Sequence, residues 1–409
     1  MAMHPLIYDW NTIDAAPASS APVMLDDETL RDGLQSPSVR TPSIEQKLRI
    51  LHLISALGIE TADIGLPGAG PHVVKDVERL AQEIVSAKLP VAANCASRTL
   101  IADIQPIADV VQRTGLNIEA CTFIGSSPIR QYAEDWTIDR LQRLTEEAVR
   151  FAVKQGLTVM YVTEDTTRAD PDSLRALYST AIRAGASRIC IADTVGHATP
   201  AGARAVVRFV QTIVDECGGG VGIDWHGHRD RDLAIENSLA AMEAGATRLH
   251  GAAIGIGERV GNTPMDSLLV NLVLMGRRSA DLTKLPEYCD VVSEATGVPI
   301  PANYPVIGRD AYRTATGVHA AAVIKAYRKK DDVLADAVYS GVPASLVGRT
   351  QGIEIGPMSG KSNVVFWLER RGIEPTDELV DRIFTKAKAA DAVLTEAEIR
   401  KLVDSSIVR

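Results

Sequence analysis

The sequence predicts an α/β protein, a (β/α)8 TIM barrel followed by a smaller, mostly helical C-terminal accessory region. Three observations predict the barrel. Short apolar runs typical of strands alternate with segments of helical length, and about eight such units fall within roughly 250 residues. Glycine commonly follows the helical segment, as in LGIE, QGLT, AGAS and AGAT. Glycine at that place is typical of a helix C-cap that leads into the next strand.

The predicted strands are apolar runs that end in small or polar residues. In chain order they are Val23–Arg31, Thr61–Leu66, Pro90–Cys95, Asn117–Ile124, Thr158–Thr163, Arg188–Asp193, Gly222–His226 and Arg248–Ile254. Helices are predicted between them, for example over Ser43–Leu57 and Thr137–Gln155. A doubly wound sheet is the alternative, but its first strand usually leads into GxGxxG, whereas LRDGLQ stands here.

The chain is long enough for a large domain and a smaller one. We predict a flexible N-terminal arm over 1–22, a catalytic barrel over 23–278, a linker over 279–303 and a helical accessory subdomain over 304–409. The arm is predicted from the Ala/Pro/Ser-rich stretch Ala15–Pro22.

Charge and cysteine content exclude several classes of protein. A net charge of −9 argues against nucleic acid as a partner, because there is no basic excess to neutralise phosphates. The five cysteines are widely spaced and form no CxxC pair, so a disulfide framework is not expected and a reducing compartment is. The sequence shows neither a signal peptide nor an apolar run of about 18 residues, which favours a cytoplasmic protein and excludes a membrane partner.

Polar residues at the predicted strand ends are the candidates for chemistry, since barrel enzymes place their active sites there. Arg31 and Asp32 follow the first strand. An aspartate can bind a metal and an arginine can stabilise an oxyanion. The alternative is a turn with a solvated ion pair, because RDG is common in turns.

The seventh strand ends in DWHGHRD. His226 and His228 are two residues apart, so on an extended strand they project to the same face and can chelate one ion. The alternative interpretation is that one histidine is buried and hydrogen-bonded and that the other is exposed. Asn262, in GIGERVGN after strand eight, can add a neutral oxygen. One aspartate, two histidines and an asparagine suit Zn²⁺, Mn²⁺ or Mg²⁺.

Strands five and six end in TEDTTRAD and ADTVGHATP. Glu164 follows the fifth strand. Thr194 follows the sixth and could donate a hydrogen bond to a substrate carboxylate. The alternative for Asp193 and Thr194 is helix N-capping, which is common for both residue types.

These motifs together resemble the DRE-TIM metallolyase superfamily, which includes 2-isopropylmalate, homocitrate and citramalate synthases and hydroxymethylglutaryl-CoA lyase. The resemblance rests on TLRDGLQS, TEDTTRAD, ADTVGHATP, HGHRD with LAIENSLAAMEAGA, and GIGERVGN, and runs from about Asp26 to about Leu368. GERVGN resembles the loop motif of the Claisen-condensing branch of this superfamily. The lyase branch carries a catalytic cysteine in that loop, and no cysteine stands there in this chain.

The resemblance implies a metal-dependent acyltransferase that condenses the co-substrate acetyl-CoA with a 2-oxo acid and hydrolyses the thioester to a 2-substituted malate. It implies metal binding by Asp32, His226, His228 and Asn262. Catalysis is implied for Arg31, Glu164, His319 and Tyr339, and the last two would reach the partner barrel of a homodimer. The substrate-binding residues implied are Gln35, Arg98, Arg130, Met160, Val162 and Thr194.

Several positions depart from the usual synthase pattern. Met160 stands where homocitrate synthases carry an arginine for the distal carboxylate of 2-oxoglutarate, and Val162 stands where serine is usual. We therefore predict an apolar 2-oxo acid rather than 2-oxoglutarate. Arg130 and Arg229 would favour an additional anion if they face the substrate, and Asp63 replaces a usual glutamate. The alternatives are an acyl-CoA lyase or aldolase on the same barrel and a non-catalytic homologue.

Overall fold

Eight parallel strands form a closed barrel in chain order, β1 to β8, with helices between them. The computed structural model describes residues 4–12 and 23–407, and the side chains of residues 4–11 and 23–404. The predicted TIM barrel and the helices after it are confirmed. Most of the predicted flexible arm, residues 1–3 and 13–22, lies outside the described residues.

The strands are short. They are β1 (Met24–Asp27), β2 (Thr61–Asp63), β3 (Ala92–Arg98), β4 (Ile118–Gly125), β5 (Val159–Glu164), β6 (Arg188–Asp193), β7 (Gly222–Gly227), β8 (Arg248–Gly251), β9 (Arg313–Thr314) and β10 (Gly352–Ile353). The last two pair with each other in a separate parallel sheet.

The helices are α1 (Ile44–Ala56), α2 (Pro71–Ala87), α3 (Ile101–Thr114), α4 (Pro128–Ala133), α5 (Ile138–Lys154), α6 (Pro171–Ala184), α7 (Pro200–Glu216), α8 (Ala234–Ala244), α9 (Met265–Leu274), α10 (Leu285–Thr296), α11 (Gly317–Arg328), α12 (Asp332–Ala337), α13 (Lys361–Glu369), α14 (Asp377–Lys388) and α15 (Glu396–Ile407). Among the described residues, none of these combines the length and hydrophobicity needed to cross a bilayer.

Local sequence explains where several helices begin and end. Ser43 and Gln46 form a capping box at the start of α1. The Asp170 side chain accepts from the backbone N–H of Ser173 at the start of α6. Gly185 is the C-cap of that helix. Its φ of 112° is a conformation that glycine adopts readily and that would be strained for other residues.

The first strand is shorter than predicted. It ends at Asp27 rather than Arg31, because Asp27 Oδ1 accepts from the backbone N–H of Thr29 at 2.9 Å and turns the chain. A 3-10 helix over Asp32–Gln35 follows. The turn carries Asp32 back over the end of the barrel.

The barrel interior is strongly polar, whereas branched apolar residues usually dominate such interiors. Asp26 accepts from Asn94 at 2.6 Å, and Arg248 donates to Asp224 at 2.5 Å. Arg248 also reaches Glu119 of β4 at 2.6 Å. Since β8 and β4 lie on opposite sides of the barrel, this ion pair spans its interior. Charged groups therefore fill the space beneath the strand ends.

The chain divides into two compact units. Of the described residues, the barrel unit comprises 23–280 and 284–299, and the second unit comprises 4–12, 281–283 and 300–407. Residues 284–299, which include α10, thus group with the barrel: the Tyr288 hydroxyl donates to Asp27 of β1. The second unit has its own core, which includes Ile355, Trp367 and Ile383.

Candidate active site and metal centre

Three side chains converge at the carboxyl end of the barrel. His226 lies in β7, and His228 follows in an isolated bridge with Asn262. The Nε2 atoms of the two histidines are 3.0 Å apart. Asp32 Oδ2 lies 3.7 Å from Nε2 of His226 and 3.6 Å from Nε2 of His228. The two imidazoles lie side by side although β7 ends at Gly227, one residue before His228.

These spacings fit a divalent cation. Two ligand atoms each about 2.1 Å from an ion, at angles of 90–120°, are about 3.0–3.6 Å apart. Asp32 Oδ2 and Asn262 Oδ1 are buried and have no hydrogen-bond partner among the described residues. Buried polar atoms are almost always paired, so these oxygens are available as ligand atoms, and with the two imidazoles they make up a donor set that suits a divalent cation.

The electrostatics also suit metal binding by His228. Burial, and then the nearby His226, lower the pKa of His228 to about 4. The ring is therefore neutral at neutral pH, and a nitrogen lone pair is available for an ion.

A second buried group lies below, formed by Glu28, His226 and His250. His250 Nδ1 is 3.0 Å from Glu28 Oε1, and its Nε2 is 2.9 Å from Asp224 Oδ2. Burial would lower the pKa of His250, but Glu28 and Asp224 raise it to about 10. A protonated ring has no lone pair to give, so this group does not fit a metal as well as the Asp32 group does.

Arg31 lies between three carboxylates. Its Nε donates to Asp63 at 2.7 Å, and its two terminal nitrogens donate to Asp32 at 3.2 Å and Glu28 at 3.1 Å. A guanidinium has five N–H donors, so two remain for a substrate. Burial raises the pKa of Asp63 to about 7, although Arg31 opposes this shift.

Glu164 and Thr194 stand half-buried at the ends of β5 and β6. Burial raises the pKa of Glu164, and Arg130 opposes that shift. The Thr194 hydroxyl accepts from the backbone N–H of Asp165 at 2.8 Å, which leaves its own hydrogen free to donate. Asp193 instead accepts from the backbone N–H groups of residues 197 and 198 and holds a turn.

Phe123 and Val162 are register partners on β4 and β5, two residue pairs further along than Cys121 and Met160, which face the barrel interior. Both are half-buried, whereas Cys121 and Met160 are buried. The Sδ atom of Met160 lies 3.1 Å from an Arg248 nitrogen. The structure therefore places Val162 at the open end of the barrel interior and Met160 in the closed layer beneath it.

The other predicted substrate-binding residues lie further out. Gln35 is exposed at the end of its 3-10 helix. Arg98 makes two hydrogen bonds to Asp103, at 2.7 and 2.9 Å. Arg130 pairs with Glu134 at 3.4 Å and lies over the ring of Trp136. The structure does not bring Gln35, Arg98 and Arg130 into contact with the Asp32 group.

The second unit holds the other two predicted catalytic residues next to each other. The rings of His319 and Tyr339 are stacked with their centroids 4.1 Å apart. His319 lies in the first turn of α11, and half of the Tyr339 surface is exposed. The two residues thus form one partly accessible pair.

Sequence reasoning missed Glu28, Phe123 and His250. Alternation along β8 puts His250 on the same face as Arg248, and alternation along the predicted first strand puts Glu28 on the same face as Asp26. Those signals were present, but barrel interiors are normally apolar, so charged inward positions were not expected.

Comparison with known proteins decides the family. The sequence profile of the HMGL-like family matches residues 23–292. The chain belongs to this family. This HMGL-like protein is 33% identical over 376 residues to homocitrate synthase AksA of Methanopyrus kandleri, covering 90% of this chain and 87% of that one. It is 30% identical to a probable 2-isopropylmalate synthase of Ignicoccus hospitalis, covering 93% and 92%.

These matches place the HMGL-like protein in the Claisen-condensing branch of the DRE-TIM superfamily, as predicted. The crystal structure of hydroxymethylglutaryl-CoA lyase from Pseudomonas aeruginosa shares the fold, with a TM-score of 0.56 and 17% identity, covering 67% of this chain and 92% of that one. At that identity the likeness concerns the fold alone.

Proposed function

We propose that this chain condenses acetyl-CoA with a 2-oxo acid and hydrolyses the thioester, giving a 2-substituted malate and coenzyme A. The observation that carries the proposal is the Asp32–His226–His228 group, with Arg31 paired to Asp32 at 3.2 Å beside it. The names of the relatives, homocitrate and 2-isopropylmalate synthases, support an enzyme of the transferase kind.

Asp32, His226, His228 and Asn262 would hold a divalent cation. When bound, the cation supplies Lewis-acid polarisation of the keto group of the 2-oxo acid. The free N–H donors of Arg31 stabilise negative charge that develops on the C2 oxygen. The free hydroxyl hydrogen of Thr194 donates to the substrate carboxylate.

Proton removal from the acetyl methyl group needs a base near a thioester. Glu164, whose pKa is raised by burial, is suited to take part, because a base works best when its pKa approaches the working pH. His319 and Tyr339 assist it. The carbanion then attacks C2, and water hydrolyses the thioester. In this proposal His319 and Tyr339 come from the partner subunit of a homodimer, and the protein works in the cytoplasm.

The substrate side chain is proposed to be apolar. Phe123 and Val162 offer half-buried apolar surface at the open end of the barrel interior. Met160 stands where a 2-oxoglutarate enzyme of this family would carry an arginine, and it lies in a buried cluster with Cys121 and Cys190. Arg130, one of the two cations that would favour a second anion, is paired with Glu134.

The test is release of free thiol from acetyl-CoA with Zn²⁺, Mn²⁺ or Mg²⁺ across a panel of 2-oxo acids. The panel runs from pyruvate and 2-oxoisovalerate through phenylpyruvate to 2-oxoglutarate and phosphonopyruvate. We expect the highest kcat/KM with an apolar acid. Preference for 2-oxoglutarate or phosphonopyruvate would overturn the apolar assignment. Absence of thiol release with every acid, from metal-loaded protein, would overturn the condensation itself.

A further inference from the structure

Glu28 lies behind the metal ligand His226, on the side away from the proposed cation. Glu28 Oε2 is buried and lies 2.7 Å from His226 Nδ1, within ion-pair distance, and has no hydrogen-bond partner of good geometry among the described residues. The opposite nitrogen of the ring, Nε2, faces Asp32 and His228. We propose that Glu28 is a positioning residue that keeps the hydrogen of His226 on Nδ1 and turns its Nε2 lone pair towards the cation.

This inference rests on the proposed function and deepens its metal site. A metal-binding histidine needs a lone pair on the ligating nitrogen, so its hydrogen must lie on the other one. A carboxylate at that other nitrogen fixes both the tautomer and the orientation of the ring. Glu28 supplies such a carboxylate from the position directly after β1, which lies two strands away from β7 and His226 in the closed barrel.

Glu28 is itself held in place. Its side chain is 3% exposed, and its second oxygen, Oε1, accepts from Arg31 at 3.1 Å and lies 3.0 Å from His250 Nδ1. Both oxygens therefore face donors, and the carboxylate cannot rotate away without leaving a buried donor unpaired.

His250 extends the support to the base of the barrel. Each of its ring nitrogens faces a carboxylate, Glu28 on one side and Asp224 on the other. Since carboxylates only accept, both nitrogens of His250 donate. Asp224 is fixed in turn by Arg188 at 2.6 Å and Arg248 at 2.5 Å. A continuous series of buried contacts thus runs from Arg248 to His226.

Glu28 also links two parts of the site. One oxygen contacts the metal ligand His226, and the other contacts Arg31, the group proposed to stabilise the C2 oxygen. A single carboxylate therefore sets the orientation of both groups relative to each other. Removing it should loosen the cation and the guanidinium together.

The test measures metal binding by the full chain without acetyl-CoA or 2-oxo acid. Zn²⁺ affinity is determined by competition with a chromophoric chelator, and the visible absorption of bound Co²⁺ reports the geometry of its ligands. We expect Glu28→Ala to weaken Zn²⁺ binding roughly 10–100-fold and to change the Co²⁺ spectrum. Glu28→Gln keeps an oxygen that can accept from Nδ1, so it should recover part of the affinity.

Asp27→Asn is the matched control. It removes a buried carboxylate from the neighbouring residue of the same chain segment, but Asp27 bonds to Thr29 and Tyr288 rather than to His226. We expect wild-type affinity and spectrum from it at neutral pH. Circular dichroism verifies that each variant is folded. If Glu28→Ala does not fold, the comparison is made with Glu28→Gln.

The outcome separates this inference from the proposed reaction. Equal affinities and spectra for the wild type and the folded Glu28 variants would overturn the positioning role, whatever the protein catalyses. Equal loss in Asp27→Asn, or no metal binding by the wild type, would overturn it too. Wild-type protein that binds metal but releases no thiol would overturn only the condensation.

Discussion

The Nε2 atoms of His226 and His228 lie 3.0 Å apart and face the same carboxylate oxygen of Asp32. The remaining nitrogen of His226 faces Glu28, while that of His228 is buried without a partner among the described residues. Two imidazoles and a carboxylate that approach in this way leave room for one cation between them. The metal hypothesis can therefore be tested one ligand at a time.

His226→Ala should reduce bound Zn²⁺ to background and abolish metal-dependent thiol release, because the variant lacks the imidazole nitrogen that is proposed to bind the metal. Metal content after dialysis and the thiol assay measure the two effects. His52→Ala is the control, since His52 lies on the surface of α1 and pairs with Glu83 at 2.9 Å. Wild-type thiol-release activity in His226→Ala would contradict the metal hypothesis.

Phe123→Ala should raise KM about tenfold for 2-oxo acids with large apolar side chains and change it little for pyruvate, because only the larger side chain loses apolar contact. Steady-state kinetics on both substrates measure the ratio. Phe151→Ala, on α5, removes an aromatic ring elsewhere in the barrel unit and serves as control. A uniform rise in KM for all substrates would contradict an apolar side-chain site at Phe123.

His319→Ala should lower kcat about 100-fold or more while oxo-acid affinity changes little, as expected for a group that assists proton transfer. Steady-state kinetics with the best 2-oxo acid measure both quantities. Lys325→Ala, an exposed position on the same helix, is the control. If kcat is unchanged in His319→Ala, the pair with Tyr339 takes no part in catalysis.

Much of the barrel and of the Asp32–His226–His228 group could be predicted from local pattern. The alternation of strand and helix patterns gave eight strands, and the two-residue spacing of His226 and His228 gave a shared face. Glu28 and His250 could not be predicted in the same way. Their partners come from strands that meet only when the barrel closes, as Arg248 meets Glu119 across 129 positions of sequence. Local pattern carries no information on such pairs.

Asp27→Asn should make stability less dependent on pH. Burial raises the pKa of Asp27 from 3.8 to about 7. The folded protein therefore keeps a proton that the unfolded chain releases above pH 4, so this residue's contribution to stability falls as pH rises from about 4 to 7. The loss is at most about 1.4 kcal/mol per pH unit. Denaturant unfolding at several pH values measures the difference between wild type and variant.

An unchanged pH dependence in Asp27→Asn would show that Asp27 titrates normally in the folded state. Asp109→Asn is a suitable comparison, because that carboxylate lies on α3 and bonds to Gln105 at 2.7 Å within the same helix.

Thr194→Val should raise KM for the 2-oxo acid, because the variant cannot donate to the substrate carboxylate. A lost hydrogen bond to a charged group corresponds to about 1.5–3 kcal/mol, or roughly 10–100-fold. Thr194→Ser keeps the hydroxyl and should retain most of the affinity. Equal KM values for the two variants would contradict a role for this hydroxyl in binding.

The charged interior of the barrel has a consequence for how such a protein can change over generations. Removing one partner from a buried ion pair is destabilising by about 3–5 kcal/mol, comparable with the whole stability of many domains. Asp224 is paired with both Arg188 and Arg248, and Arg248 is paired with Glu119 as well. Drift at these positions is therefore coupled, and viable descendants would differ from this chain by concerted replacements rather than by isolated ones.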